Sequence, residues 1–130
     1  MLWVEALALF AVSHLVGDYV LQTDWQAVHK RGGLGRDPTA RRALRSHIAT
    51  YTVAFVPALI WLGTEIGPVG AIGIGTLIAV PHLIQDDGRL LSAYIGAVKG
   101  VREPSELLWM SVDQSLHFVA LLGAALLAAA

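Results

Sequence analysis

Four long apolar runs divide the chain, and polar or turn-forming residues separate each run from the next. The runs cover residues 2–21, 48–62, 69–84 and 107–130. A helix of about 20 apolar residues crosses the hydrocarbon core of a bilayer, and the two middle runs are somewhat shorter than this. The pattern therefore predicts an all-α membrane protein with four transmembrane helices in one domain, residues 1–130.

Two long polar connections and one tight turn join the predicted helices. The connections cover residues 22–46 and 85–106, and residues 63–68 form the turn. We expect a short helix over 40–44, capped by Asp37 or Thr39, and an interfacial helix over 90–98. Pro57 and Pro81 are expected to bend the second and third spans.

The distribution of charge predicts the orientation of the spans. All nine Lys and Arg residues occur in the two long connections. The positive-inside rule makes these connections cytoplasmic and places the N and C termini outside. Nothing basic precedes the first run, and that run contains Glu5, so we do not expect it to be a cleaved signal peptide.

The composition supports a membrane protein and narrows its chemistry. The chain is 55% hydrophobic and 15% charged, with a mean hydropathy of +0.61, which is atypical of a soluble domain. A net charge of -1 argues against nucleic acid as a partner, because such proteins need an excess of Lys and Arg. The absence of Cys excludes disulfides and thiolate metal ligands.

Histidines recur within the apolar runs or, for His47, directly before one, and each has a polar partner four residues away on the same helix face. The pairs are His14 with Asp18, His47 with Tyr51, His82 with Asp86, and Asp113 with His117. At about 1.5 Å of rise per residue, all four histidines lie roughly 18–22 Å from the outer end of their spans. The three carboxylates lie one turn closer to the cytoplasm. We therefore predict one common His/Asp site that faces the cytoplasm.

The two halves of the chain show a weak internal similarity. The segment His14-Leu-Val-Gly-Asp18 resembles His82-Leu-Ile-Gln-Asp86. The intervals from His14 to His47 and from His82 to His117 are 33 and 35 residues. This indicates a parallel 2+2 helix repeat around an axis normal to the membrane, with the site on that axis.

Imidazole nitrogens and carboxylate oxygens are ligands for divalent metals, with zinc preferred here and iron or manganese as alternatives. Together they can fill one closed site or two open ones. The predicted ligands are His14, Asp18, His47, His82, Asp86, Asp113 and His117, of which Asp113 and Asp86 are also the predicted catalytic residues. Supporting roles around the ligands are predicted for Tyr51, Gln22, Gln85, Gln114 and Arg89. Arg89 and Lys30 are candidates for holding an anionic substrate or a lipid headgroup.

Four motifs in this order resemble a bacterial multi-pass membrane family of unknown function (domain of unknown function 3307). The motifs are His14-x-x-x-Asp18-Tyr-x-Leu-Gln22-Thr-x-Trp25 with Lys30, His47-x-x-x-Tyr51, His82-x-x-x-Asp86 and Asp113-Gln114-x-x-His117. The resemblance covers most of the chain and implies a location in the bacterial inner membrane, but it implies no activity. The chain is more distantly similar to membrane-bound metal-dependent hydrolases. Arg89 stands where the family often has Lys, which argues against a Schiff base at that position.

Three functions remain open on these grounds. A metal-dependent hydrolase acting on a membrane-associated substrate is favoured, since water and lipid both reach the cytoplasmic leaflet. A divalent-cation or proton transporter would use the same ligands for an ion in transit. A haem-binding electron-transfer protein would use pairs of histidines, although carboxylates beside them are not expected there. Membrane lipid is the expected partner, and a homodimer is compatible with the small-residue surfaces.

Overall fold

The apolar runs fold into helices that extend beyond the runs themselves. The structure, a computed structural model, describes residues 1–130 and contains helices but no strands. The helices are α1 (Leu2–Leu15, continued by a π-helical segment Val16–Leu21), α2 (Asp24–His29), α3 (Pro38–Ile66), α4 (Pro68–Asp86), α5 (Arg89–Tyr94, continued by a π-helical segment Ile95–Lys99) and α6 (Glu106–Ala128). Four of them, with α1 taken through Leu21, are long and apolar enough to cross a membrane. The predicted fold class is confirmed.

Helix α3 begins ten residues before the second apolar run. The Asp37 side chain accepts a hydrogen bond of 2.9 Å from the Thr39 N–H, and Pro38 occupies the first turn. Both features are typical of a helix start. The residues 40–44, expected as a separate short helix, are therefore the beginning of α3. Pro57 lies inside α3 and Pro81 inside α4, and both helices continue through them.

A single residue, Gly67, connects α3 to α4. Its φ angle of +83° lies in the region that only glycine adopts without strain. Because the chain reverses within this one residue, α4 returns antiparallel to α3 and packs along it.

The four long helices form a ring. Helix α1 packs against α3 and α6, and α4 packs against the same two helices. Helices α1 and α4 therefore lie across the ring from each other and run in the same direction, as do α3 and α6. A parallel 2+2 repeat would produce this arrangement.

The two halves of the bundle differ in polarity. The buried apolar core lies on the side of the histidines toward the termini and Gly67, and includes Phe10, Phe55, Leu62, Ile74 and Leu121. The opposite end carries the two connections and the start of α3, and all nine Lys and Arg residues occur there. We call this the basic end.

The first connection is attached to the end of α4. The N–H of Gly32 donates to the Asp87 carbonyl at 2.8 Å, and the N–H of Leu34 donates to the Asp87 carboxylate at 2.7 Å. Arg89 pairs with the same carboxylate at 2.6 Å and lowers the pKa of Asp87. These contacts hold Lys30, two residues before Gly32, beside the end of α4.

Candidate metal centre

The π-helical segment after α1 shapes one wall of the centre. It contains Gly17 and Asp18, and such widened turns are frequent at functional sites. A Cβ on Gly17 would lie 2.6 Å from Cδ2 of Tyr51, so only glycine lets α3 approach this closely. The close approach brings His47, one turn before Tyr51, next to Asp18.

Four buried residues from three helices form the first ligand group: Asp18, His47, His82 and Asp86. Their ligand atoms lie within 4.8 Å of one another. The Nε2 atom of His47 lies 2.8 Å from Oδ2 of Asp86 and 3.3 Å from Oδ1 of Asp18. The Nε2 atom of His82 faces the same two oxygens at 3.1 and 3.4 Å.

A second ligand group comprises Asp86, Asp113 and His117. The two groups share Asp86, whose carboxylate oxygens face different histidines. Oδ2 faces His47 and His82, whereas Oδ1 lies 3.6 Å from Nε2 of His117. Asp86 could therefore serve as a ligand in either group.

The hydrogen bonds of His117 show that these residues fit a cation. Its Nδ1 lies 2.7 Å from the backbone carbonyl of Asp113. A carbonyl only accepts, so Nδ1 carries a proton, and whenever the ring is neutral its Nε2 presents a lone pair. That lone pair faces Oδ1 of Asp86, and both atoms are buried without a hydrogen-bond partner. Two acceptors that face each other in this way favour a shared cation between them.

The charges of the centre also favour a cation. Asp18, Asp86 and Asp113 contribute three carboxylates, and Lys30 contributes one ammonium, 2.9 Å from Oδ2 of Asp86. When the carboxylates are ionised and the histidines beside them are neutral, two negative charges remain uncompensated in a region where unpaired charge is costly. One divalent cation would neutralise them.

His14 lies beside the ligand groups but not within them. The Tyr51 hydroxyl donates to its Nδ1 at 3.0 Å, and its Nε2–H donates to Oε1 of Gln114 at 2.8 Å. Gln114 in turn donates to the carboxylates of Asp18 and Asp113 at 3.2 and 3.3 Å. Both His14 nitrogens are thus engaged, and the structure places this predicted ligand in a network that orients two carboxylates.

A comparison with models of known families confirms the predicted family. The model of a family described as a protein of unknown function, DUF3307, matches residues 6–129, which include every residue of both ligand groups. The chain belongs to this family. No curated protein and no solved structure matches the chain, so no named relative supports the similarity to hydrolases.

Three other residues of this DUF3307 protein, predicted to support the ligands, differ in what they contact: Gln22, Gln85 and Arg89. Gln22 donates to the backbone carbonyl of Asp18 at 3.2 Å and accepts from Lys30 at 2.7 Å. Gln85 has a buried, unpartnered Oε1. Arg89 pairs with Asp87 and its side chain is 62% exposed, so it does not contact the ligand groups.

The sequence of this DUF3307 chain did not predict the contact between Lys30 and Asp86. The positive charge of Lys30 predicted an anion-binding role for it, but not that it would contact Asp86. Its position follows from the anchoring of the first connection to Asp87, a contact between segments about 50 residues apart. The family motif, which includes this Lys, was the one signal that linked it to the site.

A cavity of about 450 Å³ connects the DUF3307 centre to the basic end. Asp18, Asp86 and Asp113 line its inner part together with Lys30. Its apolar lining includes Val28, Trp109 and Met110. The cavity therefore has both a polar end at the ligand groups and an apolar wall.

Proposed function

We propose that this protein is a membrane hydrolase whose buried His/Asp centre holds divalent metal, with zinc preferred, and acts on a membrane-associated substrate. The observation that carries the proposal is the pair of unpartnered acceptors, Nε2 of His117 and Oδ1 of Asp86, on a carboxylate shared by two ligand groups. Bound there, a divalent metal would supply Lewis acidity to a carbonyl or phosphoryl oxygen.

The side chains around the ligands have separate tasks in this proposal. Asp86 presents one oxygen to each ligand group, and Gln114 holds the carboxylates of Asp18 and Asp113 in place by hydrogen bonds. Asp113 lines the cavity and is the least buried residue of the second ligand group, which also contains Asp86 and His117. We assign the Asp113 carboxylate the role of general base, because a general base must lie within hydrogen-bond reach of the water from which it takes a proton.

The cavity supports a substrate with an apolar part. We place the basic end at the cytoplasmic face, where its nine cations belong by the positive-inside rule. The cavity then opens at the inner leaflet, beside Trp109, a residue type enriched at the interface. An ester, amide or phosphoester of an amphiphile would place its chain against the apolar wall and its polar bond at the ligands.

The two other functions receive less support from the geometry. A transporter needs a polar route through the bundle, but the half beyond the histidines is filled by the apolar core around Phe10 and Phe55. A haem needs a planar slot, but the ring of His82 lies 3.5 Å from that of Tyr51 and 4.5 Å from that of His117, centroid to centroid.

Elemental analysis and turnover test the proposal together. We expect protein purified without added metal to contain stoichiometric zinc, iron or manganese, and to hydrolyse a member of a panel of amphiphilic esters, amides and phosphoesters in liposomes. His117→Ala should lose metal. Asp113→Asn should lower kcat by about 10²–10⁴-fold, the usual contribution of a general base.

His29→Ala is the matched control, because His29 is exposed and contacts only the Trp25 region. It should retain both metal and turnover. Wild-type protein without stoichiometric metal would overturn the centre. Bound metal accompanied by ion flux across liposomes, with no turnover of any substrate, would favour the transporter.

A further inference from the structure

Three exposed arginines near the start of α3 have no acidic partner. Arg41, Arg42 and Arg45 make no ion pair or side-chain hydrogen bond, whereas Lys30, Arg31 and Arg89 each pair with a carboxylate. Arg45 follows Arg41 by four residues and Arg42 by three, so the three side chains leave the helix close together. With Pro38 and Ser46 they line a concave surface of about 570 Å³.

The height of this surface matches the lipid headgroups. The apolar part of α3 begins at Ile48, so the arginines lie roughly 5–10 Å beyond it along the helix. The headgroup layer on each side of a bilayer is about 5–8 Å thick. The guanidinium of Arg42 also lies 5.9 Å from the ring centre of Trp25, and Trp is enriched at this level.

We propose that Arg41, Arg42 and Arg45 bind the phosphate of an anionic phospholipid. The guanidinium group forms paired hydrogen bonds with phosphate oxygens, and three unpaired guanidinium groups around one concavity complement a single phosphate that carries negative charge. Topology alone requires basic residues at this end but does not require that they share one surface. The site does not depend on the metal centre.

Lipid titration with native mass spectrometry tests the proposal in detergent-solubilised full-length protein. We expect wild-type protein to bind phosphatidylglycerol at least tenfold more tightly than phosphatidylcholine. The triple variant R41Q/R42Q/R45Q should lose at least tenfold in phosphatidylglycerol affinity. The variant R36Q/K99Q/R102Q removes the same charge from three exposed, unpaired residues elsewhere at the basic end and should stay within twofold of wild type.

A charge-conserving variant keeps the test decisive if the glutamine variant misfolds. R41K/R42K/R45K retains the charge but loses the paired geometry, and we expect it to bind phosphatidylglycerol several-fold more weakly than wild type. Equal losses in the two glutamine variants, or equal affinity for the two lipids, would overturn the proposal. So would competition by millimolar inorganic phosphate, which would show a site for the free ion instead.

Discussion

Tyr51 contacts two histidines of the centre through different parts of its side chain. Its hydroxyl donates to Nδ1 of His14, and its ring stacks on that of His82 with an interplanar angle of 9°. The residue is almost fully buried, and Gly17 packs against its ring. It therefore fixes the orientation of His82 by packing and that of His14 by hydrogen bonding.

Tyr51→Phe separates these two effects. The ring remains, but Nδ1 of His14 loses its donor, so we expect a loss of about 1–3 kcal/mol in unfolding free energy. Metal affinity should fall by less than the roughly tenfold to 100-fold typical of losing a direct partner of a ligand, because the hydroxyl contacts His14 and not a ligand, and the stoichiometry should not change. Thermal unfolding measures the loss of stability, and competition with a chelator measures the metal affinity. Tyr94→Phe, at a half-exposed position in α5, is the control and should change neither. Complete loss of metal would contradict this role.

At the level of single residues, the sequence predicts which side chains share a helix face, but not how each nitrogen is used. The spacing of four between His82 and Asp86 is fixed by the helix, and the structure brings both into one ligand group. The same spacing relates His14 to Asp18, yet the nearest distance there is 3.7 Å. The nitrogens of His14 are engaged by Tyr51 and Gln114, contacts that depend on how three helices pack.

Among the helical elements, α1 depends on a glycine at the point where its last turn widens. Gly17 lies in the π-helical segment and faces Tyr51, whereas Gly73 in α4 has nothing within 4 Å of where a Cβ would lie. The two glycines therefore differ in the cost of an added methyl group.

Gly17→Ala and Gly73→Ala form a matched pair. In Gly17→Ala the new Cβ would lie 2.6 Å from Cδ2 and 3.3 Å from Cα of Tyr51, and such overpacking costs about 1–3 kcal/mol. In Gly73→Ala the higher helix propensity of Ala should raise stability by up to about 1 kcal/mol. Thermal unfolding in detergent, followed by circular dichroism, should give a lower Tm for the first variant and an equal or higher Tm for the second. The reverse order would show that α1 and α3 are not in close contact at Gly17.

The bounds of α3 show that hydropathy predicts the lipid-facing part of a helix but not where the helix begins. An apolar run reports which residues can contact lipid, and in α3 that part begins at Ile48. The helix itself begins where Asp37 and Pro38 start it, and it carries Arg41 to Arg45 outside the apolar part. Capping residues were visible in the sequence, but it did not show that the helix continues from them into the span. In the structure, α2 packs against this part of α3, and Gln26 donates a hydrogen bond to Ser46.

At the scale of the whole molecule, the bundle is asymmetric along its axis. The ligand groups, the cavity and all nine cations lie toward one end, and the apolar core lies toward the other. This asymmetry was predictable because successive spans alternate in direction, which converts residue number into depth. The ring order of the helices was not, since it depends on which apolar faces fit together.

Single cysteines can test the orientation of this axis, because the natural chain contains none. Glu65 is exposed near the Gly67 turn, and Lys99 is exposed at the basic end. In intact cells we expect an impermeant maleimide to label Glu65→Cys and to label Lys99→Cys only after permeabilisation, because the cations should face the cytoplasm. The opposite labelling would move the cavity to the outer leaflet, and a hydrolase acting from the cytoplasmic side would then be untenable. The arginine surface would then face the outer leaflet, but its lipid titration in detergent is independent of orientation, so the labelling tests the first proposal separately from the second.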